Sequence, residues 1–134
     1  MHHLVIFVIF DKIHSMKRLH SILLFLLLVN LSCAQTKSEH IVDFLEKNPE
    51  SILLIDVRTP QEYEAGHLEN AQNINWFDAD FEDKFSSIAK DKTIYVYCKV
   101  GGRSAKAQQK LLSLGYTNVI NLEGGYDAVL AQRN

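Results

Sequence analysis

The sequence predicts an α/β domain, a mostly parallel open sheet of four to five strands with helices on both faces. Two observations carry this. Residues 52–57 (Ile-Leu-Leu-Ile-Asp-Val) and 93–97 (Thr-Ile-Tyr-Val-Tyr) are short, nearly unbroken apolar runs, as expected of strands covered on both faces. Segments with helical periodicity alternate with them through short connections, which favours parallel pairing. In such sheets ligands bind beyond the carboxyl ends of the strands. Asp56 and Arg58 follow one run and Cys98 follows the other, so these are the first residues to consider for a site.

The elements follow in order. Ser38 can cap a helix whose Ile41, Val42, Phe44 and Leu45 share one face, and Asn48-Pro49 stops it. The polar stretch before it offers little for an opening edge strand, which is expected to be short or missing. After the first apolar run, Thr59 caps a short helix with Pro60 at its first position, ending near Gly66. Residues 71–74 form a short strand. Residues 78–88 are expected to be helical, with Phe81, Phe85 and Ile88 inward. After the second apolar run, residues 104–114 form a helix with Ala107, Leu111, Leu112 and Leu114 apolar, closed by Gly115. Val119-Ile120 gives a last short strand, and Gly124-Gly125 leads into a final helix over 126–130.

Composition narrows the class. With 134 residues, 47% of them hydrophobic, the chain is too apolar to be disordered and suits one domain. The formal net charge is -2 and no basic stripe appears, so a nucleic-acid partner is not expected. No cofactor is implied, and the domain is expected to be a monomer.

Residues 1–34 read as a signal or targeting segment, with Met16 an alternative start. Met16-Lys17-Arg18 is a basic opening, the apolar run 22–29 follows, and small residues come next. A membrane-spanning helix needs about 20 apolar residues, and this run is less than half that. Extending it upstream would bury Asp11, Lys12, Lys17 and Arg18, at about 2.5–3.5 kcal/mol each. Two outcomes are open. Leu31-Ser32-Cys33 resembles the end of a bacterial lipobox, which makes Cys33 a lipidation candidate and gives a membrane-anchored protein. Ser32-Cys33-Ala34 also fits ordinary cleavage before Gln35, giving a periplasmic one. Residues 35–37 are then a short tether, and 38–134 the domain.

The chain has two cysteines, Cys33 and Cys98. Processing consumes the first, leaving Cys98 alone, a lone thiol in an exported protein. Cys98 follows a buried strand and opens the loop Lys99-Val100-Gly101-Gly102-Arg103-Ser104, which runs into a helix. Glycines let successive N–H groups turn inward as an anion-binding nest, and a helix start adds free N–H groups. A hundredfold gain in the thiolate-to-thiol ratio takes roughly 2.7 kcal/mol. A helix end at about 0.3–1 kcal/mol and two charge-assisted hydrogen bonds at about 1.5–3 kcal/mol each suffice. Lys99 and Arg103 add positive charge. The loop therefore predicts a nucleophilic thiolate facing an anionic substrate. Cysteines so far apart lack metal-ligand spacing, and no local Cys-His pair suggests a papain-like device.

At these residues the chain resembles the rhodanese family. The loop from Cys98 to Ser104 resembles its active-site loop. Leu54-Ile55-Asp56-Val57-Arg58, Glu62-Tyr63, Gly66-His67-Leu68 and Ala71-Gln72-Asn73-Ile74 resemble its upstream signature, and Leu122-Glu123-Gly124-Gly125-Tyr126-Asp127-Ala128 its C-terminal one. The resemblance implies a sulfurtransferase. Cys98 would take sulfane sulfur from thiosulfate or a similar anionic donor as a persulfide and yield it to a thiol or cyanide. The amides from Lys99 to Ser104 would cradle the persulfide, with Lys99 and Arg103 attracting the donor. A non-catalytic sulfur carrier or sensor is the alternative. The fold also resembles Cdc25-type phosphatases and some arsenate reductases, which place five residues between cysteine and arginine. Here four lie between Cys98 and Arg103, a loop that fits sulfur and crowds phosphate. Glu69-Asn70 replaces the family's usual Pro-Gly, and Val129 its aromatic.

Asp56 and Arg58 are expected to support the site, pairing with Glu62 or bonding loop amides. His67 reads as a turn residue, Trp76 and Phe77 as core, with the pocket rim as the alternative, and Tyr97 as a neighbour of the pocket.

Overall fold

The computed structural model describes residues 16–17, 20–21, 36–47 and 52–133. The chain forms two compact units, 1–34 and 35–134. In the first, the described residues 16–17 and 20–21 are helical. The apolar run 22–29, the lipidation candidate Cys33 and the helix stop at Asn48-Pro49 lie outside the described residues. No helix among the described residues is long and apolar enough to cross a membrane.

The second unit is an α/β domain built on five parallel strands in the order β1-β5-β4-β2-β3. Its elements are β1 Lys37–His40, α1 Ile41–Lys47, β2 Leu53–Asp56, α2 Pro60–Glu64, β3 Gln72–Asn73, β4 Thr93–Tyr97, α3 Gly102–Ser113, β5 Asn118–Glu123 and α4 Gly125–Arg133. The register sets Ile55 against Val96 and Tyr95 against Ile120. Strand side chains alternate faces, so the two apolar runs feed two cores. Ile55, Val96 and Cys98 join Phe85, Ala107 and Leu111 on the α3 face. Leu54, Tyr97 and Leu122 join Ile41, Phe44 and Val129 on the face covered by α1 and α4.

Three elements differ from expectation. Ser38 does not cap a helix; it sits inside β1, opposite Asn121 of β5, and α1 begins at Ile41. Three of this edge strand's four side chains are exposed, so no apolar pattern announces it. Main-chain pairing with β5 and the Gln108 amide, which donates to the Lys37 carbonyl at 2.5 Å, hold it instead. Residues 78–88 are not an α-helix but a chain of turns around one 3-10 turn, Asp83–Phe85. Asn75 bonds the Phe77 N–H at 3.2 Å and the Asp78 carboxylate at 2.6 Å. Short polar side chains of this kind compete with helical bonding. Phe81 and Phe85 still point inward, and the Tyr116 hydroxyl donates to the Phe85 carbonyl. The last strand, finally, extends through Glu123 rather than stopping at Ile120. In the turn after Leu68, Asn70 takes a left-handed φ of 61°, a conformation asparagine tolerates.

Candidate active site

The carboxyl ends of β2 and β4 lie side by side, with Asp56 opposite Tyr97. Asp56 is fully buried and holds Arg58 two residues on. The Arg58 Nε donates to Asp56 Oδ1 at 3.0 Å and Nη2 to Oδ2 at 2.6 Å, while the Arg58 backbone N–H also donates to Oδ1 at 2.9 Å. Nη2 reaches the Gly66 carbonyl at 2.7 Å, and the guanidinium lies 4.3 Å from the Tyr126 ring centroid. This pair therefore ties the end of β2 to the end of α2 and the start of α4. Neither residue bonds Glu62 or the loop amides. Tyr97 beneath them accepts from the Leu68 N–H at 3.1 Å. Burial pushes its hydroxyl far above the ordinary tyrosine value, so it stays neutral.

Glu62 has a different partner. Thr59 caps α2 through a reciprocal capping box with Glu62. From there the carboxylate turns to the far loop. Arg103 Nη1 and Nη2 donate to its two oxygens, each at 2.7 Å. Hydrogen bonding from Arg103 holds Glu62 at about 2, against 4.5 ordinarily. The Arg103 charge is thus neutralised rather than free for a donor.

The cysteine loop itself curls as its glycines suggest. Gly101 takes φ 104° and precedes the first residue of α3. Its N–H donates to Cys98 Sγ at 3.1 Å, and the Ser104 hydroxyl, which also bonds the Gly101 carbonyl at 3.0 Å, lies 3.5 Å from the sulfur. Cys98 is 1% exposed. Burial raises its pKa, but the Ser104 hydroxyl and the N–H groups of Ser104, Gly101 and Val100 together bring it below its ordinary value. Hydrogen bonds, not the Lys99 or Arg103 charges, are the leading causes. Lys99 and Val100 stand exposed at the loop's outer edge, Gly102 is exposed, and Ser104 is buried.

A family model for the rhodanese-like domain matches residues 40–132. This chain belongs to the rhodanese-like domain family. YqhL of Bacillus subtilis, an uncharacterized protein, is 41% identical over 73 residues, covering 54% of this chain and 56% of its own; the chain thus spans about half of that relative. A protein of Allochromatium vinosum named Sulfurtransferase is 33% identical over 98 residues, 73% of this chain and 85% of its own. The crystal structure of a rhodanese-like domain protein from Staphylococcus aureus superposes with a TM-score of 0.62 at 33% identity, covering 69% of this chain and 90% of that one.

In this rhodanese-like domain the C-terminal signature supports the loop from outside. The N–H of Tyr126 donates to the Cys98 carbonyl at 2.9 Å and that of Asp127 to the Lys99 carbonyl at 3.0 Å. With those carbonyls turned toward α4, the following amides are free to face the sulfur. Gly125, at φ 58°, makes the approach possible, because a Cβ there would overlap the Cys98 and Lys99 carbonyls. Sequence reasoning did not assign that role to Gly125, nor Arg103 to Glu62; in both cases the partner is distant in the chain. Of the two readings for Trp76 and Phe77, each residue takes a different one: Phe77 is 67% exposed and lies near the Arg103 guanidinium, at the rim of the site, while Trp76 packs against the core. His67 stacks on Tyr63 with centroids 3.7 Å apart, as a turn residue.

Proposed function

We propose that this domain is a sulfurtransferase that carries sulfane sulfur on Cys98. The observation that carries the reading is the position of Cys98 Sγ, within hydrogen-bonding reach of the Gly101 N–H and the Ser104 hydroxyl. A thiolate held this way attacks the outer sulfur of thiosulfate. A new S–S bond forms at Sγ, the S–S bond of the donor breaks, and sulfite leaves with the electron pair. The same donors that stabilise the thiolate then stabilise the persulfide anion, which is a matter of preorganised dipoles rather than reorganisation. An acceptor such as cyanide attacks the outer sulfur, leaves as thiocyanate and returns Sγ to the thiolate. The sulfurtransferase relative at 33% identity supports this reading.

The test is direct. Purified protein incubated with thiosulfate and cyanide is expected to form thiocyanate, and without cyanide to gain one sulfur atom on Cys98. Cys98→Ser is expected to abolish both while keeping the fold, because the swap is nearly isosteric. Neither thiocyanate nor the added mass in the wild type would reject the reading. We also propose that the domain works outside the cytoplasm as a monomer, released or lipid-anchored at Cys33. The sequence of residues 1–34 supports the export, whose processing the intact mass of the mature protein tests, and light scattering in solution tests the monomer.

A further inference from the structure

All five strands run parallel, so the sheet has two unlike poles. The cysteine loop follows β4 at the carboxyl-end pole. The opposite pole holds the first residues of β1, β5 and β4, and it is basic. Lys37, Lys90 and Lys92 are exposed there, and none has an ion-pair partner among the described residues. Contacts tie them into one group. The Lys37 Nζ donates to Asn118 Oδ1 at 3.4 Å, the Asn118 Nδ2 to the Asp91 carbonyl at 3.4 Å, and the Thr117 N–H to the Lys90 carbonyl at 2.9 Å. Lys90 also lies over the Tyr116 ring, 3.7 Å from its centroid, and Lys92 immediately precedes β4. Asp91 is the single carboxylate of this group. At the other pole Lys99 is accompanied by Glu123 and Asp127. β4 spans five residues, which sets the poles about 16 Å apart. The basic pole is also where the chain enters the domain. Three residues, 34–36, separate Cys33 from Lys37. That stretch reaches at most about 14 Å, little more than the Debye length of about 10 Å at roughly 0.1 M salt.

We infer that the face made by Lys37, Lys90 and Lys92 seats the domain on an anionic lipid surface, with the cysteine loop turned to the aqueous side. The inference rests on the proposal that Cys33 carries a lipid anchor, and it is independent of the sulfur chemistry. An anchor at Cys33 brings the basic pole, and not the loop, within screening range of the headgroups. There the three ammonium groups donate to headgroup phosphates. Each lysine near such a surface changes occupancy roughly fivefold, so three of them choose one resting orientation for a domain already held by its anchor. Sulfur donors and acceptors then reach Cys98 from solution rather than from the bilayer.

The experiment reads which lysines the membrane covers. The full chain is expressed in a bacterium with its own targeting segment. The mature protein is reconstituted on vesicles of phosphatidylcholine alone, or of phosphatidylcholine mixed with phosphatidylglycerol. Exposed amines are briefly acetylated, and the label on Lys37, Lys90 and Lys92 is measured against that on Lys99 of the same molecules by peptide mass spectrometry. The phosphatidylcholine vesicles keep the anchor and remove the surface charge, so they set the reference. On the mixed vesicles the ratio is expected to fall roughly fivefold and to recover at high salt. A ratio equal on the two vesicles, or shielding of Lys99 instead, would overturn the inference. So would duplex DNA that shields the three lysines when the vesicles do not, which would make this face a nucleic-acid site. A mature mass without lipid on Cys33 ends the anchoring proposal and this inference with it. Thiocyanate formation by the same protein remains a separate test of the sulfurtransferase reading.

Discussion

Glu62 and Arg103 lie 41 residues apart in the chain and form a two-pronged ion pair, both contacts at 2.7 Å. Glu62 thereby links the N-cap of α2 to the first turn of α3, directly after the cysteine loop. The pair orients the start of α3 and offsets the Arg103 charge. Electrostatic activation of Cys98 then falls to backbone dipoles and one hydroxyl.

This linkage has a pH signature. Arg103 holds the Glu62 carboxyl at about 2, down from 4.5. Because the folded value is the lower one, the stability it contributes is fully present above about pH 4.5 and is lost as pH falls toward 2. Glu62→Gln is expected to cost about 1–2 kcal/mol at neutral pH. Urea unfolding of both proteins should show the gap narrowing across that window. A gap independent of pH would mean that the charge pair with Arg103 contributes nothing to stability.

Gly125 is the second contact that places the loop. Gly125→Ala is expected to destabilise the domain by about 2–4 kcal/mol, from the left-handed backbone and the overlap with the Cys98 and Lys99 carbonyls. Denaturant unfolding measures this. Sulfur loading should fall as well, because the displaced carbonyls take the cradle with them.

Asp56 serves architecture. Asp56→Asn leaves the Arg58 guanidinium buried without its counter-charge, at a cost of about 3–5 kcal/mol. Calorimetric or urea-induced unfolding would show it. A loss well under 1 kcal/mol would contradict the structural role.

How much of this was legible follows from where the signals lie. The runs at 52–57 and 93–97 announced β2 and β4 because both faces of each strand are covered. The loop was legible because Cys98, Gly101 and Ser104 are neighbours in the chain as well as in space. Strand β1 was not, since an exposed edge held by backbone pairing leaves no apolar pattern. The spacing of Phe81, Phe85 and Ile88 fits a helix, yet the same residues turn inward from successive turns, so periodicity misled while burial was read correctly. Partners brought together only by topology, such as Glu62 with Arg103 or Gly125 with the loop carbonyls, leave no local trace.

Among the described residues, Ser104 supplies the one side-chain hydroxyl within hydrogen-bonding reach of the sulfur, at 3.5 Å. Ser104→Ala is expected to raise the Cys98 pKa and slow sulfur loading from thiosulfate at neutral pH by roughly tenfold, the worth of about one charge-assisted hydrogen bond. Rates of persulfide formation followed by mass spectrometry check this, and raising the pH should restore much of the loss.

The pH profile of Cys98 alkylation bears most directly on the cradle. Iodoacetamide modification, followed by intact mass from pH 5 to 10, reports the thiolate fraction (the pH range being roughly that over which cysteines titrate). The account predicts a midpoint clearly below that of an unperturbed cysteine, moving upward in Ser104→Ala. A midpoint at or above the ordinary cysteine value would mean that burial outweighs the hydrogen bonds and that the loop does not hold an anionic sulfur.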